Sequence, residues 1–337
     1  MARKCSPSLN TGLRKAIVSE RPPAMRYRLE LLILLIVIAG CSRSSEPEPN
    51  PAAADSKRPE IIVTSEPLLD MTMATVRDAA DVRRIVPAST TSRDWKPTSE
   101  EAGLMQQANL ILISGAGYEP WKDRVSLPGS RIRDTAAGYY DQFIRIPDAV
   151  SHQHGPDGPH SHPGTVWATW LAPELCVAQL HQVSIQCGRL LPDQKQTIET
   201  AEARLAAEFN SLNSEIASIQ ERVSEKTGNA DLTVFSDAPH YQYLARRLGW
   251  KLHYLHWSDS ETLSDKDRES LLEAFKLNGD ERKIFLMNSR RSSSAEAYVR
   301  ESGGTVIRID LCEFASPDGT PLVARLKQNL QHIRDAF

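Results

Sequence analysis

The chain has 337 residues, 40 Lys+Arg against 43 Asp+Glu, a formal net charge of -3, 40% hydrophobic residues and 25% charged ones. On a loose prior of about 150 residues per domain, that length suggests two domains with ample material for a core. The charge balance gives no electrostatic case for nucleic acid, the composition excludes wholesale disorder, and the one long apolar run is too short to span a bilayer.

That run comes first in chain order. Arg26 and Arg28 precede Leu31-Leu32-Ile33-Leu34-Leu35-Ile36-Val37-Ile38, the charged and apolar regions of a secretory signal. It ends in Ile38-Ala39-Gly40-Cys41, which resembles the bacterial lipobox, whose cysteine takes the lipid and becomes the mature N-terminus. Residues 1–41 therefore read as a signal peptide with its lipobox. The polar stretch before Met25 fits no targeting pattern, so Met25 is the expected start. Residues 42–58, rich in Pro and Ser, cannot bury a core and read as a flexible tether. The expected location is the periplasmic or extracytoplasmic face, anchored through Cys41.

From Pro59 onward, short β-branched runs alternate with longer helical patterns. Strands are expected at Ile61–Thr64, Val82–Val86, Leu110–Ile113, Leu232–Phe235, Leu252–Leu255, Ile284–Met287 and Val306–Ile309. Helices are expected at Leu68–Ala79, Ser99–Gln107, Pro173–Leu190, Ala238–Leu248, Asp265–Leu277 and Ser294–Ser302. Alternation of this kind implies parallel sheets with helices on both faces. Between the two groups, Ile198, Ala201, Leu205, Phe209, Leu212, Ile216, Ile219 and Val223 recur at steps of three and four. This predicts one amphipathic helix over Asp193–Lys226, roughly 50 Å long. The fold class is α/β, two lobes, each a small parallel sheet flanked by helices, joined by a single long connector helix. The lobes are expected at 59–191 and 229–337, with the connector at 192–228.

Cysteine usage adds little. Cys176 and Cys187 fall on one expected helix with ~16 Å of rise between them, too far apart for a disulfide. With Cys312 they read as buried small hydrophobes. Between Val150 and Thr165, four of the nine histidines, His152, His154, His160 and His162, lie among Gly and Pro. Imidazoles gathered on such a loop, 152–162, can capture a divalent transition metal. His240 is a further candidate, near the start of an expected helix. No Ser/His/Asp spacing, P-loop or dinucleotide fingerprint occurs, so an enzyme has no support.

Several motifs occur in a telling order: Val63-Thr64-Ser65-Glu66-Pro67-Leu68; Val86-Pro87-Ala88 followed by Arg93-Asp94-Trp95-Lys96-Pro97-Thr98; Gly115-Ala116-Gly117-Tyr118-Glu119-Pro120-Trp121; Trp170-Leu171-Ala172-Pro173; and Phe235-Ser236 before Tyr243-Leu244-Ala245-Arg246-Arg247-Leu248-Gly249. Together they resemble the zinc- and manganese-binding solute-binding lipoproteins of ABC importers. The resemblance implies a metal-capturing cleft between two lobes, an ABC permease in the cytoplasmic membrane as partner, a monomer, and no role for nucleic acid. The implied cargo is zinc first and manganese second, with no metal needed for folding.

The same resemblance shows a cleft whose metal ligands are substituted. The family's three histidines and one acid fall here at Arg93, Ala168, Asp237 (or Ala238, with the one-residue insertion placed differently) and Asn288 or Ser289. A guanidinium keeps its proton and cannot ligate. At ~4 Å from a dication and an effective dielectric of about 20, it repels by roughly 8 kcal/mol. Three readings follow from the residues. Metal is still captured, through His160 and His162 folding into the cleft beside Asp237 while Arg93 swings away, with His240 near enough to contribute; or the cleft is closed by an Arg93–Asp237 salt bridge in a non-transporting paralogue; or Arg93 with Arg290 or Arg291 grips an anion.

Overall fold

A computed structural model describes residues 58–146, 164–227, 232–258, 262–277, 279 and 282–337. The leader, the tether up to residue 57 and the histidine-rich loop lie outside the described residues, and with them Cys41, His152, His154, His160 and His162.

The first sheet contains β1 (Glu60–Val63), β2 (Asp81–Arg84), β3 (Leu110–Ile113) and β4 (Ile132–Asp134), all parallel, in the order β2-β1-β3-β4. Strand β3 is buried throughout and β1 nearly so, as strands covered on both faces must be. Helix α1 (Glu66–Val76) starts where the Ser65 hydroxyl accepts from the Leu68 amide. Helix α2 (Ser99–Gln107) starts on a capping box between Thr98 and Glu101. A two-residue antiparallel pair, β5 (Arg145–Ile146) with β6 (Gly164–Thr165), precedes helix α3 (Pro173–Leu190).

Helix α4 (Lys195–Thr227) is a single helix of 33 residues, led in by a 3₁₀ turn over Pro192–Gln194. The eight apolar positions at steps of three and four are its eight buried residues. Ile198 packs into the core of the first sheet with Val63 and Leu112. Leu212, Ile216 and Val223 pack with Val234, Leu244 and Leu330 of the second half. The stripe thus serves both halves, and residues 56–337 form one compact unit.

The second sheet holds β7 (Thr233–Ser236), β8 (Lys251–Tyr254), β9 (Lys283–Asn288) and β10 (Gly304–Ile309), all parallel, ordered β10-β9-β7-β8. Around it lie α5 (Gln242–Leu248), α6 (Asp265–Leu277), α7 (Ser293–Glu301) and α8 (Leu322–Ala336). In each sheet the strand order reverses once, between β1 and β3 and between β7 and β9. Loops leaving the carboxyl ends of these strands diverge there and leave room for side chains.

Two local departures from the sequence reading have physical causes. The helix expected from Ala238 begins at Gln242, after a 3₁₀ turn over Pro239–Tyr241. Pro239 forces Ala238 into extended backbone (φ -154, ψ 164), which delays the helix and turns His240 toward the first sheet's loops. Helix α8 has no counterpart in the sequence reading. It has no side-chain cap of its own. Instead, the Asp70 carboxylate on α1 accepts from the Leu322 amide at 2.8 Å.

Cys176, Cys187 and Cys312 are free thiols, all buried. Among the described residues no helix is long and apolar enough to cross a membrane.

Candidate functional site

The loop after β2 carries Arg93. Thr91 and Asp94 close it, with the Thr91 hydroxyl donating to the Asp94 carboxylate at 2.7 Å. Trp121 Nε1 donates to Ser92 Oγ at 3.1 Å and its ring meets Trp95 edge-on at 5.0 Å. Thus anchored, the loop sends Arg93 across the face of Trp167, its Cζ 5.0 Å from the ring centroid. Nη1 of Arg93 reaches Nε2 of His240 at 3.4 Å. The His240 and Trp167 rings lie 4.5 Å apart. The guanidinium therefore bridges the loop after β2 and the turn after β7.

His240 stays neutral. Burial holds its imidazole well below the usual histidine range, and the charges of Arg93 and Arg291 lower it further. Since Nε2 faces an N–H of Arg93, Nε2 accepts and the proton sits on Nδ1. Nδ1 is buried and has no hydrogen-bond partner among the described residues.

Asp237 follows β7 at the reversal point of the second sheet. Its Oδ2 accepts from Arg291 Nε at 2.8 Å, with side chains only 2% and 9% exposed. Its Oδ1 accepts from the Tyr241 hydroxyl at 2.9 Å, and the Asn288 amide also donates to the carboxylate. Burial pushes the Asp237 carboxyl up, opposed by Arg291 and these donors. Arg291 also donates to the Ser258 carbonyl.

This geometry corrects two expectations. The Arg93–Asp237 salt bridge does not form. Asp237 pairs with Arg291, because the loop after β9 is the sheet neighbour of the loop after β7. Arg290 does not join Arg93 either. It is exposed, and its guanidinium stacks on Phe314 at 3.9 Å. The Arg290-Arg291 doublet is visible in the sequence, but choosing between its members needs the strand order.

The remaining substituted position, Ala168, is fully buried beside Trp167 and Trp170. Asn288 closes β9 and uses its side-chain oxygen on the Arg290 amide. Among the described residues no group of three or more His, Cys, Asp or Glu is placed to hold a metal ion. The other histidines lie elsewhere: His181 is exposed and bonds Glu202 at 2.7 Å, His253 and His256 are exposed on or just after β8, and His332 is exposed on α8, where its Nδ1 meets the Arg308 carbonyl at 3.0 Å.

A second buried acid lies in the first half. Glu119 lies at the reversal point of the first sheet, 1% exposed. It accepts from the Thr64 hydroxyl at 2.6 Å and from the amides of Ser114 and Gly115 at 2.8 and 3.0 Å. Burial outweighs these donors and pushes its carboxyl up to about 7. The turn demands glycine at 115, where φ is +76° and a Cβ would collide with Asp134 Oδ1. Beyond it, the Tyr118 hydroxyl donates to Glu313 at 3.1 Å, tying the first half to the loop after β10.

Comparison with known proteins places this geometry in a family. The family model described as zinc-uptake complex component A, periplasmic, matches residues 61–336. The high-affinity zinc uptake system protein ZnuA of Bacillus subtilis (strain 168) is 21% identical over 317 residues, covering 90% of this chain and 94% of that protein. The iron ABC transporter substrate-binding lipoprotein MtsA of Streptococcus pyogenes serotype M1 is 20% identical, covering 93% of this chain and 98% of its own. The solved structure of the metal-dependent lipoprotein YcdH from Bacillus subtilis superposes with a TM-score of 0.64 at 19% identity, over 82% of this chain and 98% of that one. The chain belongs to the zinc-uptake complex component A, periplasmic, family, whose members are extracytoplasmic solute-binding receptors of metal ABC importers and not enzymes.

Proposed function

We propose that the chain is the monomeric, lipid-anchored receptor of an ABC importer, tethered through Cys41, and that it captures zinc mainly on His152, His154, His160 and His162. The observation that carries this reading is the cleft chemistry. Arg93 and Arg291 hold the two places where metal-ligand positions would converge, one against His240 and one on Asp237. A dication there would meet two guanidiniums that cannot deprotonate, and a carboxylate already engaged by three donors. The relatives' names, with zinc and iron in them, support a divalent transition metal as cargo. Manganese ranks second.

Titration calorimetry with zinc tests it. The chain is expected to bind zinc, and replacing the four loop histidines by alanine is expected to abolish the heat. Binding should also weaken as pH falls through ~6.5, where free imidazoles gain protons. Unchanged affinity in the fourfold variant would refute the reading and return the site to His240 and Asp237. A second reading, a non-transporting paralogue, is favoured by the buried Arg291–Asp237 pair. It predicts no zinc heat in either protein.

A further inference from the structure

The loop after β10 is held from both halves. On its own side, Arg325 donates to the Asp310 carboxylate at 2.8 Å and to the Phe314 carbonyl at 2.9 Å. The Asn329 side chain accepts from the Asp310 amide and donates to its carbonyl, both at 2.8 Å. Three residues of the first half reach across to the same loop. Trp170 Nε1 donates to the Leu311 carbonyl at 2.8 Å, the Tyr118 hydroxyl to the Glu313 carboxylate at 3.1 Å, and Arg84 to the Glu313 carbonyl at 3.2 Å. Arg84 is itself paired with Glu66 at 3.2 Å. Between these anchors Cys312 is fully buried and has a φ of +57°. A residue with a Cβ holds that left-handed conformation only where its surroundings impose it. Here the pull from two sides imposes it, with the Asp310 carboxylate accepting from the Cys312 amide at 2.8 Å.

We propose that residues 310–314 form a conformational strap between the halves, a unit that lets go of Arg84, Tyr118 and Trp170 while both sheets stay folded. Three hydrogen bonds hold it to the first half, whereas each sheet is a four-stranded ladder with a buried core. Segments held by so few bonds open at a lower free energy than the whole chain unfolds. Release also relieves the left-handed backbone at Cys312. The Tyr118 ring lies 5.0 Å from Trp167 and 5.1 Å from Trp170, and Arg93 lies over Trp167. The strap therefore joins the second sheet to the aromatic cluster on which Arg93 rests. Nothing in this device depends on the cargo, and its test is run without metal.

Cys312 reports release directly. Burial pushes its thiol well above the usual cysteine range, so the closed strap resists alkylation and release exposes an ordinary thiol. Cys187 on α3 packs with Val63 and Leu112 in the core of the first sheet and becomes reachable only when that core unfolds, so it serves as the reference. The full chain, freed of metal, is treated under native conditions with iodoacetamide dilute enough that reclosing outpaces reaction, and each cysteine is followed by mass spectrometry. Cys312 is expected to react at least tenfold faster than Cys187. Tyr118→Phe removes a bond that both strap release and global unfolding break, and should speed both cysteines at least threefold. Tyr243→Phe removes a bond between the halves away from the strap, where the Tyr243 hydroxyl accepts from the Ile144 amide at 3.1 Å. It should speed Cys187 alone. The proposal is overturned if Cys312 and Cys187 react at one rate in the unmodified chain, if Tyr118→Phe leaves Cys312 unchanged, or if Tyr243→Phe speeds Cys312 as much as Cys187.

Discussion

Nε of Arg291 donates to Oδ2 of Asp237 at 2.8 Å, across the point where the second sheet reverses its strand order. Two side chains from neighbouring strand ends thereby neutralise each other beyond the carboxyl edge of that sheet. The pair is nearly dry. Its desolvation offsets much of its attraction, so its presence is poor evidence of added stability but strong evidence of mutual dependence.

Breaking it on one side should therefore be costly. Arg291→Met leaves the buried carboxylate with two neutral donors from its own half, the Tyr241 hydroxyl and the Asn288 amide. A loss of about 3–5 kcal/mol is expected in denaturant unfolding. The double variant Arg291→Met with Asp237→Leu should recover most of that loss. Additive single effects in this cycle would show that the two groups are not coupled.

Glu119 makes stability depend on pH in a defined direction. Its carboxyl is pushed from 4.5 up to about 7 by burial. The unfolded chain loses this proton first, near 4.5, and the folded chain only near 7. Stability from this group is thus full below about 4.5 and lost as pH rises through 7. A shift of that size corresponds to about 3 kcal/mol. Glu119→Gln should remove this slope, and should be less stable at pH 5 because its amide nitrogen would face the Gly115 N–H. An unchanged slope in the variant would show that the proton sits elsewhere.

Gly115 is expected to tolerate no side chain. Alanine there would combine a left-handed backbone with a Cβ 2.8 Å from the Ala136 Cβ and closer still to Asp134 Oδ1. That oxygen already accepts from the Ala136 amide, so it cannot simply retreat. Gly115→Ala should cost several kcal/mol, beyond the ~1 kcal/mol of an ordinary glycine replacement. Gly117→Ala, also at positive φ but with open space around it, should cost much less. Comparable melting temperatures for the two variants would contradict the close approach.

Much of the fold is legible in periodicity, because burial alone sets it. The α4 stripe from Ile198 to Val223 and the apolar run Leu110–Ile113 have one consistent placement each. Helix α8 is hidden from such a reading because its start is fixed by Asp70, 252 residues away, and not by a local cap. At the site, motif positions single out Arg93, Asp237 and His240; the fold sets Arg93 against His240 and Asp237 against Arg291. Their pairing is not legible. Whether Asp237 takes Arg93 or Arg291 depends on which strand ends are neighbours, and no local pattern encodes that. The unpartnered nitrogens of Trp167 and His240 are equally invisible, since a missing partner is a property of the packed state.

Asp70 offers the last test, of the joint between α1 and α8. Burial pushes its carboxyl up to about 6, with Glu66 adding to the rise and the Leu322 amide and Arg325 opposing it. The unfolded chain ionises this group near 3.8, so its contribution to stability is greatest at low pH and lost as pH rises through about 6. Asp70→Asn keeps an oxygen for the Leu322 amide and discards the charge. It should match the unmodified chain near pH 4 and exceed it above pH 6. Asp70→Ala discards both, leaving the first turn of α8 uncapped, and should fall below Asp70→Asn by about 1 kcal/mol at every pH. Melting curves of the three proteins at pH 4 and pH 8 decide it. If Asp70→Asn and Asp70→Ala melt together, the 2.8 Å contact does not cap α8, and the two halves are joined there by packing alone.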